Sequence, residues 1–423
     1  MNKCRVCTCL LLAIVAFQLQ AQTISAIYFN GLKKTRVAYL YRFISCRAGM
    51  EYDSLMVQQD VQALLNLQIF ERVEPRLKPE AGKLELHFDC KEVITLIPFL
   101  DFGGVKGNPY FQAGLIDFNW LGQGNQLGGF YRYDGRSTVQ LFLKKPYLKG
   151  TNWGFSVSAL SLSTIEPLFF GSTGQGFERV NYFYDNVNVE LLGRYEFRFG
   201  HFIQFGGAYL YEQFTPRDQT PPGLEIPGTS ALHKGIVKFT HSLKNINYYY
   251  HYLQGFSNET QLEGVFTPGV NEVFWKVLNV SKYFHRIGQK GNLAMRLRLG
   301  LSPDSNSPFV PFVQDSYINI RGSGNRVARG TAEVVVNAEY RHSLYENFNW
   351  GALQGVGFVD LGTWRLPKPG NEFFNPEYMS LFYGLGVRIY FSRAYNFILR
   401  ADYGRSLLGG EQEGFVLGVG QYF

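Results

Sequence analysis

Polar and apolar residues alternate along the segment from Thr331 to Arg341. One set, which contains three charged residues, is Glu333, Val335, Asn337, Glu339 and Arg341, and the other is Val334, Val336, Ala338 and Tyr340. Successive side chains of a β-strand point to opposite faces, so one face of this strand is ionic and the other suits lipid. The alternation therefore predicts a strand in the wall of a transmembrane β-barrel.

Strand-like segments follow one another from Thr95 to the final residue, and several of them alternate as cleanly. The predicted spans are 95–105, 110–121, 125–134, 137–146, 152–163, 179–197, 201–214, 231–245, 251–267, 271–287, 291–304, 330–345, 347–364, 381–392, 396–407 and 414–423. We therefore predict a mostly β chain in which residues 94–423 form a sixteen-stranded antiparallel barrel. A count of fourteen or eighteen strands stays open.

The connections between these strands also alternate in length. Short turns such as 122–124 and 198–200 are followed by long connections, which we place at 164–178, 215–230, 305–329 and 365–380. Outer-membrane barrels have short periplasmic turns and long outer loops, so the asymmetry favours this class over a soluble sandwich or propeller.

The first 21 residues have the features of a secretory signal peptide. Lys3 and Arg5 supply the positive charge, Leu10 to Phe17 the apolar stretch, and Ala21 the small residue at the cleavage site. No later stretch reaches the ~18 apolar residues that a spanning helix needs. We expect an exported protein.

Residues 22–93 have a different pattern, typical of a small α+β domain with the order β-α-α-β-β. Thr35 is the predicted N-cap of a first helix, with apolar positions at Val37, Leu40, Tyr41 and Ile44, and Asp53 is the predicted N-cap of a second. Cys46 and Cys90 are the two cysteines outside the signal peptide, and either a disulfide or two buried thiols fits them.

Several function classes lack support in the sequence. The formal net charge of +7 is spread along the chain without the basic stripe of a nucleic-acid module, and it suits anionic lipid and lipopolysaccharide better. The sequence has no HExxH, GxSxG or Walker motif, and its seven histidines lack the spacing of metal ligands. We expect no enzymatic activity, no cofactor and no metal.

A loop arginine and a strand aspartate are the best candidates for a functional contact. Ile320, Arg321 and Gly322 stand in a polar loop. The FVDLG segment from Phe358 to Gly362 places Asp360 on the second predicted strand after that loop. An unpaired charge inside a barrel is costly, so Arg321 and an inward Asp360 are natural partners. Gly322 and Gly324 would allow a close approach of the backbone.

The junction between the first and last strands is a second candidate site. Glycine weakens strand pairing, and this predicted lateral seam contains Gly103 and Gly104 in the first strand and Gly418 and Gly420 in the last. Phe423 ends the last predicted strand and would close the barrel. The seam could open sideways and expose strand edges, or the glycines could simply relieve crowding.

The chain resembles the outer-membrane protein assembly superfamily, which includes BamA, TamA and the two-partner secretion transporters. The phrases FNGLKKT, GMEYD and LLNLQIFERVEP resemble a POTRA domain, and the IRG, AEYR and FVDLG segments resemble the superfamily's barrel. The resemblance implies that a sixth outer loop tucks into the lumen, where Arg321 meets Asp360 and Glu339. Arg341, Phe358 and Gly362 belong to the same motifs.

The resemblance also implies a function. It points to an outer-membrane factor, with the POTRA domain in the periplasm, that inserts barrel proteins or moves proteins across the membrane. The implied partners are unfolded client proteins, with periplasmic chaperones or accessory lipoproteins as further candidates. A dedicated two-partner-type secretion transporter or a passive pore is the alternative. Two departures weaken a core assembly role, since Ser323 replaces an aromatic residue and there is room for one POTRA domain.

Overall fold

The computed structural model describes most of the chain after the predicted signal peptide. The described residues are 23–80, 83–105, 108–171, 177–219, 224–304, 309–324, 326–347, 349–367, 379–408 and 412–423. The chain divides into two compact units, and the division falls between Glu92 and Val93. The signal peptide predicted at 1–21 lies outside the described residues.

The N-terminal unit is a three-stranded sheet with two helices. Its elements are β1 (Ile24–Asn30), α1 (Val37–Leu40), α2 (Ser54–Leu65), β2 (Phe70–Glu80) and β3 (Lys83–Glu92). Strand β3 is central, parallel to β1 and antiparallel to β2. Its buried Leu84, Leu86 and Phe88 alternate with more exposed residues, which explains why the segment folds as a strand with one face on the core. The predicted order β-α-α-β-β is confirmed.

Of the two predicted helix N-caps, one is confirmed and the other is wrong. The Asp53 side chain accepts a hydrogen bond from the Leu55 amide, as predicted for an N-cap. The prediction for Thr35 was wrong: Arg36 occupies the N-cap of α1, without a side-chain hydrogen bond, and the helix ends after one turn at Leu40. The Thr35 amide is instead bound by a carboxylate from β3.

Cys46 and Cys90 are free and buried. Burial, helped for Cys46 by the neighbouring Asp60, raises the pKa of each thiol to about 12. Asp60 is itself buried, and it accepts hydrogen bonds from the amides of Ser45 (2.6 Å) and Cys46 (2.9 Å). Of the two readings left open by the sequence, the structure has buried thiols.

Glu92, the last residue of β3, holds the loop that leads into α1. Its carboxylate accepts hydrogen bonds from the amides of Thr35 (2.8 Å), Lys34 (2.9 Å) and Lys33 (3.1 Å). Burial alone would raise the pKa of Glu92, but these hydrogen bonds outweigh it and hold the pKa below its usual value. The carboxylate therefore stabilises the loop in its charged form.

The C-terminal unit is a sixteen-stranded antiparallel barrel, as predicted. Its strands are β4 (Leu96–Val105), β5 (Asn108–Trp120), β6 (Asn125–Tyr133), β7 (Ser137–Lys145), β8 (Trp153–Gly171), β9 (Phe177–Arg198), β10 (His201–Pro216), β11 (Ser230–Tyr249), β12 (Tyr252–Phe266), β13 (Phe274–Ile287), β14 (Gly291–Leu301), β17 (Ala332–Asn347), β18 (Gly351–Arg365), β19 (Met379–Phe391), β20 (Phe397–Leu408) and β21 (Glu413–Val419). Two short strands, β15 (Phe312–Gln314) and β16 (Ala328–Gly330), form a hairpin between β14 and β17. Each barrel strand pairs with its neighbours in chain order.

Side chains on the barrel strands alternate between the lumen and the outer surface. On β14 the outward Met295 and Leu297 are exposed, whereas the inward Ala294 and Arg296 are buried. Leu385 and Phe415, on other strands, are each 73% exposed. An apolar outer surface around a polar interior is what a bilayer requires of a barrel. Among the described residues, no helix is long and apolar enough to cross a membrane.

The prediction of a long connection at 164–178 was wrong. Strands β8 and β9 continue through most of it and pair as far as Gly171 with Phe177. The reason is an apolar cluster formed by Leu168, Phe170, Val180, Tyr182 and Phe214, against which Leu224, Ile226 and Phe309 pack. Burial of these side chains favours extended strands over a loop. The glycine-rich residues 172–176 lie outside the described part of the chain.

The variant Glu92→Gln tests whether the Glu92 carboxylate holds the loop that leads into α1. We expect the amides of Lys33, Lys34 and Thr35 to exchange with deuterium roughly tenfold faster, because a hydrogen bond to a charged group is worth about 1.5 kcal/mol. The difference in exchange rate between the variant and the wild type should have its full size above pH 4.5, the pKa of the unfolded state. It should disappear as the pH falls through the lower pKa of Glu92 in the folded protein.

Hydrogen exchange followed by mass spectrometry measures this effect on the whole protein. The matched control is Glu74→Gln, which changes an exposed carboxylate 3.4 Å from Arg72. Equal exchange rates for Glu92→Gln and the wild type at neutral pH would show that the carboxylate does not hold the loop.

Candidate functional site in the barrel lumen

The connection between β14 and β17 folds into the barrel and has its own internal structure. After β15, the Asp315 carboxylate accepts hydrogen bonds from the amides of Tyr317 (2.8 Å) and Arg326 (3.1 Å). The Asn319 side chain binds the Asp315 amide and the Val313 carbonyl. These bonds fix a tight turn, and we call residues 318–324 the loop tip.

Arg321 stands at the centre of the loop tip and is fully buried. Its guanidinium donates to both Asp360 oxygens at 2.9 Å and to Glu339 at 2.6 Å. The Arg321 amide also donates to Asp360, at 3.0 Å. A forked, charge-assisted arrangement of this kind fixes direction as well as distance.

Three arginines and three carboxylates form one buried ionic cluster. Besides Arg321, Glu339 and Asp360 it contains Arg341, whose Nε is 2.6 Å from Glu339, and Arg388, which binds Asp402 at 2.7 and 3.1 Å. All six side chains are fully buried. The formal charges cancel, so loss of any one member leaves an uncompensated charge away from water.

Aromatic rings enclose the Arg321 guanidinium. Its central carbon lies 3.7 Å from the ring centre of Phe358 and 4.3 Å from that of Tyr422. Rings at these distances attract a guanidinium and also exclude water. Asn337 completes the site, because its amide nitrogen donates to Asp360 and to the Asn319 carbonyl at 2.7 Å each.

Ile320 anchors the loop tip through apolar contacts. It is fully buried in a cluster with Phe312, Val335, Trp364 and Phe382. A Cβ at Gly362 would lie 2.5 Å from the Trp364 ring and 3.0 Å from Ile320, so this glycine leaves room for both side chains.

Glycines let the loop tip approach strands β20 and β21 closely. Gly322 has φ +87°, and a Cβ there would lie 2.5 Å from the Gly404 carbonyl oxygen. A Cβ at Gly404 would in turn lie 2.4 Å from the Arg321 carbonyl oxygen, and one at Gly414 would be 3.3 Å from the Gly322 oxygen. The backbone of the loop tip therefore lies directly against the last two strands.

The base of the loop is bound on a different wall. Arg326 and Arg329 both form ion pairs with the buried Glu166 of β8, at 2.8 Å for Arg329. Strands β9 to β14 separate β8 from β17 in the sheet. The loop thus contacts both sides of the lumen.

The seam between β4 and β21 is the break in the sheet. In the described residues no ladder of hydrogen bonds joins the two strands. Gly103 and Gly104 pair with Tyr110 and Pro109 of β5, and Gly418 faces Arg400, whose guanidinium would lie 3.0 Å from a Cβ.

The prediction that Phe423 ends the last strand at the seam was wrong. Strand β21 ends at Val419, and Gly420, with φ +93°, turns the chain away from the wall. Tyr422 and Phe423 are buried in the lumen. The reason is that both rings pack in an apolar cluster with Ile246, Phe284 and Ala294, beside the guanidinium of Arg296.

At the short-turn end of the seam a different contact is made. Ile94 forms a parallel bridge with Ala394 in the turn between β19 and β20, with hydrogen bonds to Arg393 and Tyr395 of 2.8 Å each. The Tyr395 ring stacks on Phe118 of β5 at 4.1 Å. Ile94, two residues before β4, is therefore bound to the turn between β19 and β20, on the other side of the seam.

Sequence reasoning missed several members of this site. Arg388, Asp402, Asn337, Gly404 and Tyr422 were not predicted as site residues, although Asp402 and Arg388 occupy polar positions of alternating strands. Alternation gives the face on which a residue lies but not its partner across the lumen. In the described residues, no group of three or more His, Cys, Asp or Glu side chains could hold a metal ion.

Comparison with known proteins agrees with this architecture. The POTRA family, described as surface antigen variable number repeat, matches residues 22–93. These residues form a POTRA domain. BamA from Haemophilus ducreyi lacking POTRA domains 1–3 is 15% identical, with a TM-score of 0.57 over 94% of this chain and 84% of that one.

Two CdiB structures are similarly close. CdiB from Acinetobacter baumannii is 15% identical, with a TM-score of 0.56 over 95% of this chain and 74% of its own. CdiB from Escherichia coli is 11% identical, with a TM-score of 0.59 over 94% and 76%. The chain has the fold of BamA and CdiB. In this chain the barrel that follows the POTRA domain contains the ionic cluster.

Arg321→Ala should destabilise the barrel by about 3–5 kcal/mol, because it leaves Glu339 and Asp360 buried without their partner. We expect the temperature at which the folded band disappears in unboiled SDS gels to fall. Arg321→Lys should give an intermediate result, since an ammonium cannot reproduce the fork. The control is Arg405→Ala, at an exposed pair 4.0 Å from Glu413. An unchanged temperature for Arg321→Ala would contradict the structural role of the cluster.

Gly404→Ala should release the loop tip, because the new methyl group would overlap the Arg321 carbonyl oxygen. We expect trypsin to cleave after Arg326 and Arg329 faster than in the wild type. Gly193→Ala is the matched control, since the nearest atom to its Cβ, the Phe205 oxygen, is 3.6 Å away. If both variants resist trypsin equally, the close approach of loop and strand does not hold the loop.

Proposed function

We propose that the protein is an outer-membrane factor that inserts barrel proteins into the outer membrane or moves proteins across it. The observation that carries the proposal is the loop tip bound in the lumen through Arg321, Asp360 and Glu339. The sequence resembles a superfamily in which this tucked loop accompanies a POTRA domain and protein handling. The POTRA domain lies in the periplasm and the barrel in the outer membrane.

The loop tip bound in the lumen favours protein handling over a passive pore. Arg321, Ile320 and the aromatic rings of Tyr422 and Phe423 are buried inside the barrel. A pore for small solutes needs a continuous polar channel, whereas these side chains exclude water. A client that crosses this part of the lumen would have to displace the loop tip.

In the part of the chain that the structure describes, no ladder of hydrogen bonds joins β4 to β21, and this supports a way to handle client strands. The edges of β4 and β21 carry backbone groups that a client strand could pair with. The POTRA domain offers a further edge at β2, which ends its sheet. The clients are unfolded outer-membrane or secreted proteins, and chaperones or accessory lipoproteins would deliver them. Lipid and lipopolysaccharide surround the apolar outer wall.

Depletion of the protein followed by quantitative proteomics of the outer membrane tests this function. Loss of many unrelated barrels would indicate a general assembly factor, and loss of one secreted or surface protein a dedicated two-partner-type transporter. Arg321→Ala should fail to restore the lost proteins, while Arg405→Ala should restore them. An unchanged outer-membrane and secreted proteome after depletion would overturn the proposal and favour the passive pore.

A further inference from the structure

Two polar residues interrupt the apolar outer face of β12. Phe256 and Leu262 are exposed on this face. Because the side chains of a strand alternate between its two faces, Asn258 and Thr260, which lie between them at even spacing, point outward as well. The face of β12 that should suit lipid therefore has an amide and a hydroxyl in its middle.

The neighbouring strand β13 departs from the apolar pattern in the same way. Asn279 and Ser281 lie on its outward face, between the exposed Trp275 and Tyr283. These two aromatic residues are about 27 Å apart along an antiparallel strand. Aromatic girdles mark both edges of the apolar band of an outer-membrane barrel, which is about 25 Å tall. The polar residues between them therefore lie within the band that lipid tails surround.

The four side chains form one hydrogen-bonded network, and we call Asn258, Thr260, Asn279 and Ser281 the polar patch. The Asn258 amide nitrogen donates to the Ser281 hydroxyl at 2.8 Å and to the Asn279 oxygen at 3.2 Å. The Asn279 amide nitrogen donates to the Thr260 hydroxyl at 2.8 Å. The Thr260 hydroxyl donates to the Asn258 oxygen at 3.4 Å, and the Ser281 hydroxyl donates to the Asn279 oxygen at 3.2 Å. These bonds offset part of the cost of polar groups in hydrocarbon.

The network leaves one donor and one acceptor of the polar patch unused. A side-chain amide has two N–H groups and an oxygen with two lone pairs. Within the described residues, one N–H of Asn279 has no acceptor, and the Asn258 oxygen accepts a single hydrogen bond. An unused donor beside an unused acceptor is self-complementary, so two copies of the patch related by a two-fold axis satisfy both.

The polar surface continues onto β10 and β11. His241 is directly opposite Thr260 in the sheet and shares its outward face. The Nε2 atom of His241 lies 3.0 Å from the Nε2 atom of His201 on β10. Polar side chains thus extend over the outward face of four neighbouring strands. Because lipid tails bind none of these groups, a surface of this kind indicates a contact with something other than lipid.

On its other side the polar patch is bordered by the apolar face of β14. Leu297 lies opposite Ser281 and Leu299 opposite Asn279, and both leucines are exposed. Association within a membrane depends on close packing and on hydrogen bonds between polar groups. The patch with its leucine border offers both kinds of contact.

We propose that the polar patch is the centre of a contact between two copies of this chain within the membrane. A two-fold axis relates the copies, and the unused N–H of Asn279 in each copy donates to the Asn258 oxygen of the other. The inference goes beyond the proposed function and does not depend on it. The amides define the partner, because each needs a donor and an acceptor that lipid tails lack.

Cysteine cross-linking of the full-length protein in isolated outer membranes tests the proposal. Residues close to a two-fold axis lie near their own counterparts, so we expect Thr260→Cys to form a disulfide-linked dimer under mild oxidation. The matched control is Leu385→Cys, at an exposed outward position of β19, which should stay monomeric. Cys46 and Cys90 are buried and should add no background.

A second set of variants shows whether the amides hold the two copies together. Added to Thr260→Cys, the pair Asn258→Leu and Asn279→Leu makes this face apolar, and the dimer yield should fall at least tenfold. His342→Leu, at an exposed position of β17, should leave the yield unchanged. Equal yields with and without the amides would overturn the proposal. So would equal cross-linking of Leu385→Cys, or a cross-link to a protein of different mass in place of the dimer.

Energy transfer in liposomes measures the association without a cysteine in the polar patch and covers the case in which Thr260→Cys does not fold. Purified full-length protein carries donor or acceptor dyes at Leu385→Cys, and mobility in unboiled SDS gels checks its folding. We expect transfer above the level of random proximity, which excess unlabelled wild type abolishes. The double leucine variant should need a protein-to-lipid ratio about tenfold higher, because it lacks both amide contacts. Transfer at the random level for the wild type would overturn the proposal and leave the proposed function untouched.

Discussion

The contact between the Arg321 guanidinium and the carboxylates of Asp360 and Glu339 determines how the interior of the barrel is organised. A full positive charge away from water is stable only when opposite charges and hydrogen bonds surround it. The wall also depends on the loop, since without Arg321 the two arginines Arg341 and Arg388 would face three carboxylates, those of Glu339, Asp360 and Asp402. Loop and wall are therefore electrostatically incomplete without each other. The glycine contacts with Gly404 and Gly414 then follow, because the guanidinium reaches its partners only if the backbone lies on the strands.

Much of this arrangement could be predicted from the sequence. The sixteen strands follow from the alternation of side chains, because a bilayer imposes an apolar outer face on every strand. The pairing of Arg321 with Asp360 follows from the cost of an isolated charge, and Glu339 was added by the resemblance to a known superfamily. Predictions of this kind succeed where one local rule, applied residue by residue, fixes the outcome.

The remainder depends on contacts between residues that are distant along the chain. The extension of β8 and β9 is stabilised by Phe214 and Phe309, and no local pattern in the glycine-rich segment indicates those partners. Phe423 fits the alternation of the last strand, yet the pocket formed by β11, β13 and β14 binds it in the lumen. Thr35 is a good capping residue, but its amide is taken by Glu92, whose approach is set by the sheet. In each case tertiary packing outweighs a correct local preference.

The two attachments of the loop have a mechanical consequence for the barrel. Glu166 on β8 binds Arg329 at the base of the loop, and the carboxylates of β17 and β18 bind Arg321 at its tip. The loop therefore crosses the lumen and connects two opposite parts of the barrel wall. A barrel connected in this way resists widening along the direction of the loop and deforms more easily in the perpendicular direction. If the seam opens and the circumference grows, either one end of the loop must detach or the cross-section must become elliptical. The short axis of that ellipse would lie along the loop.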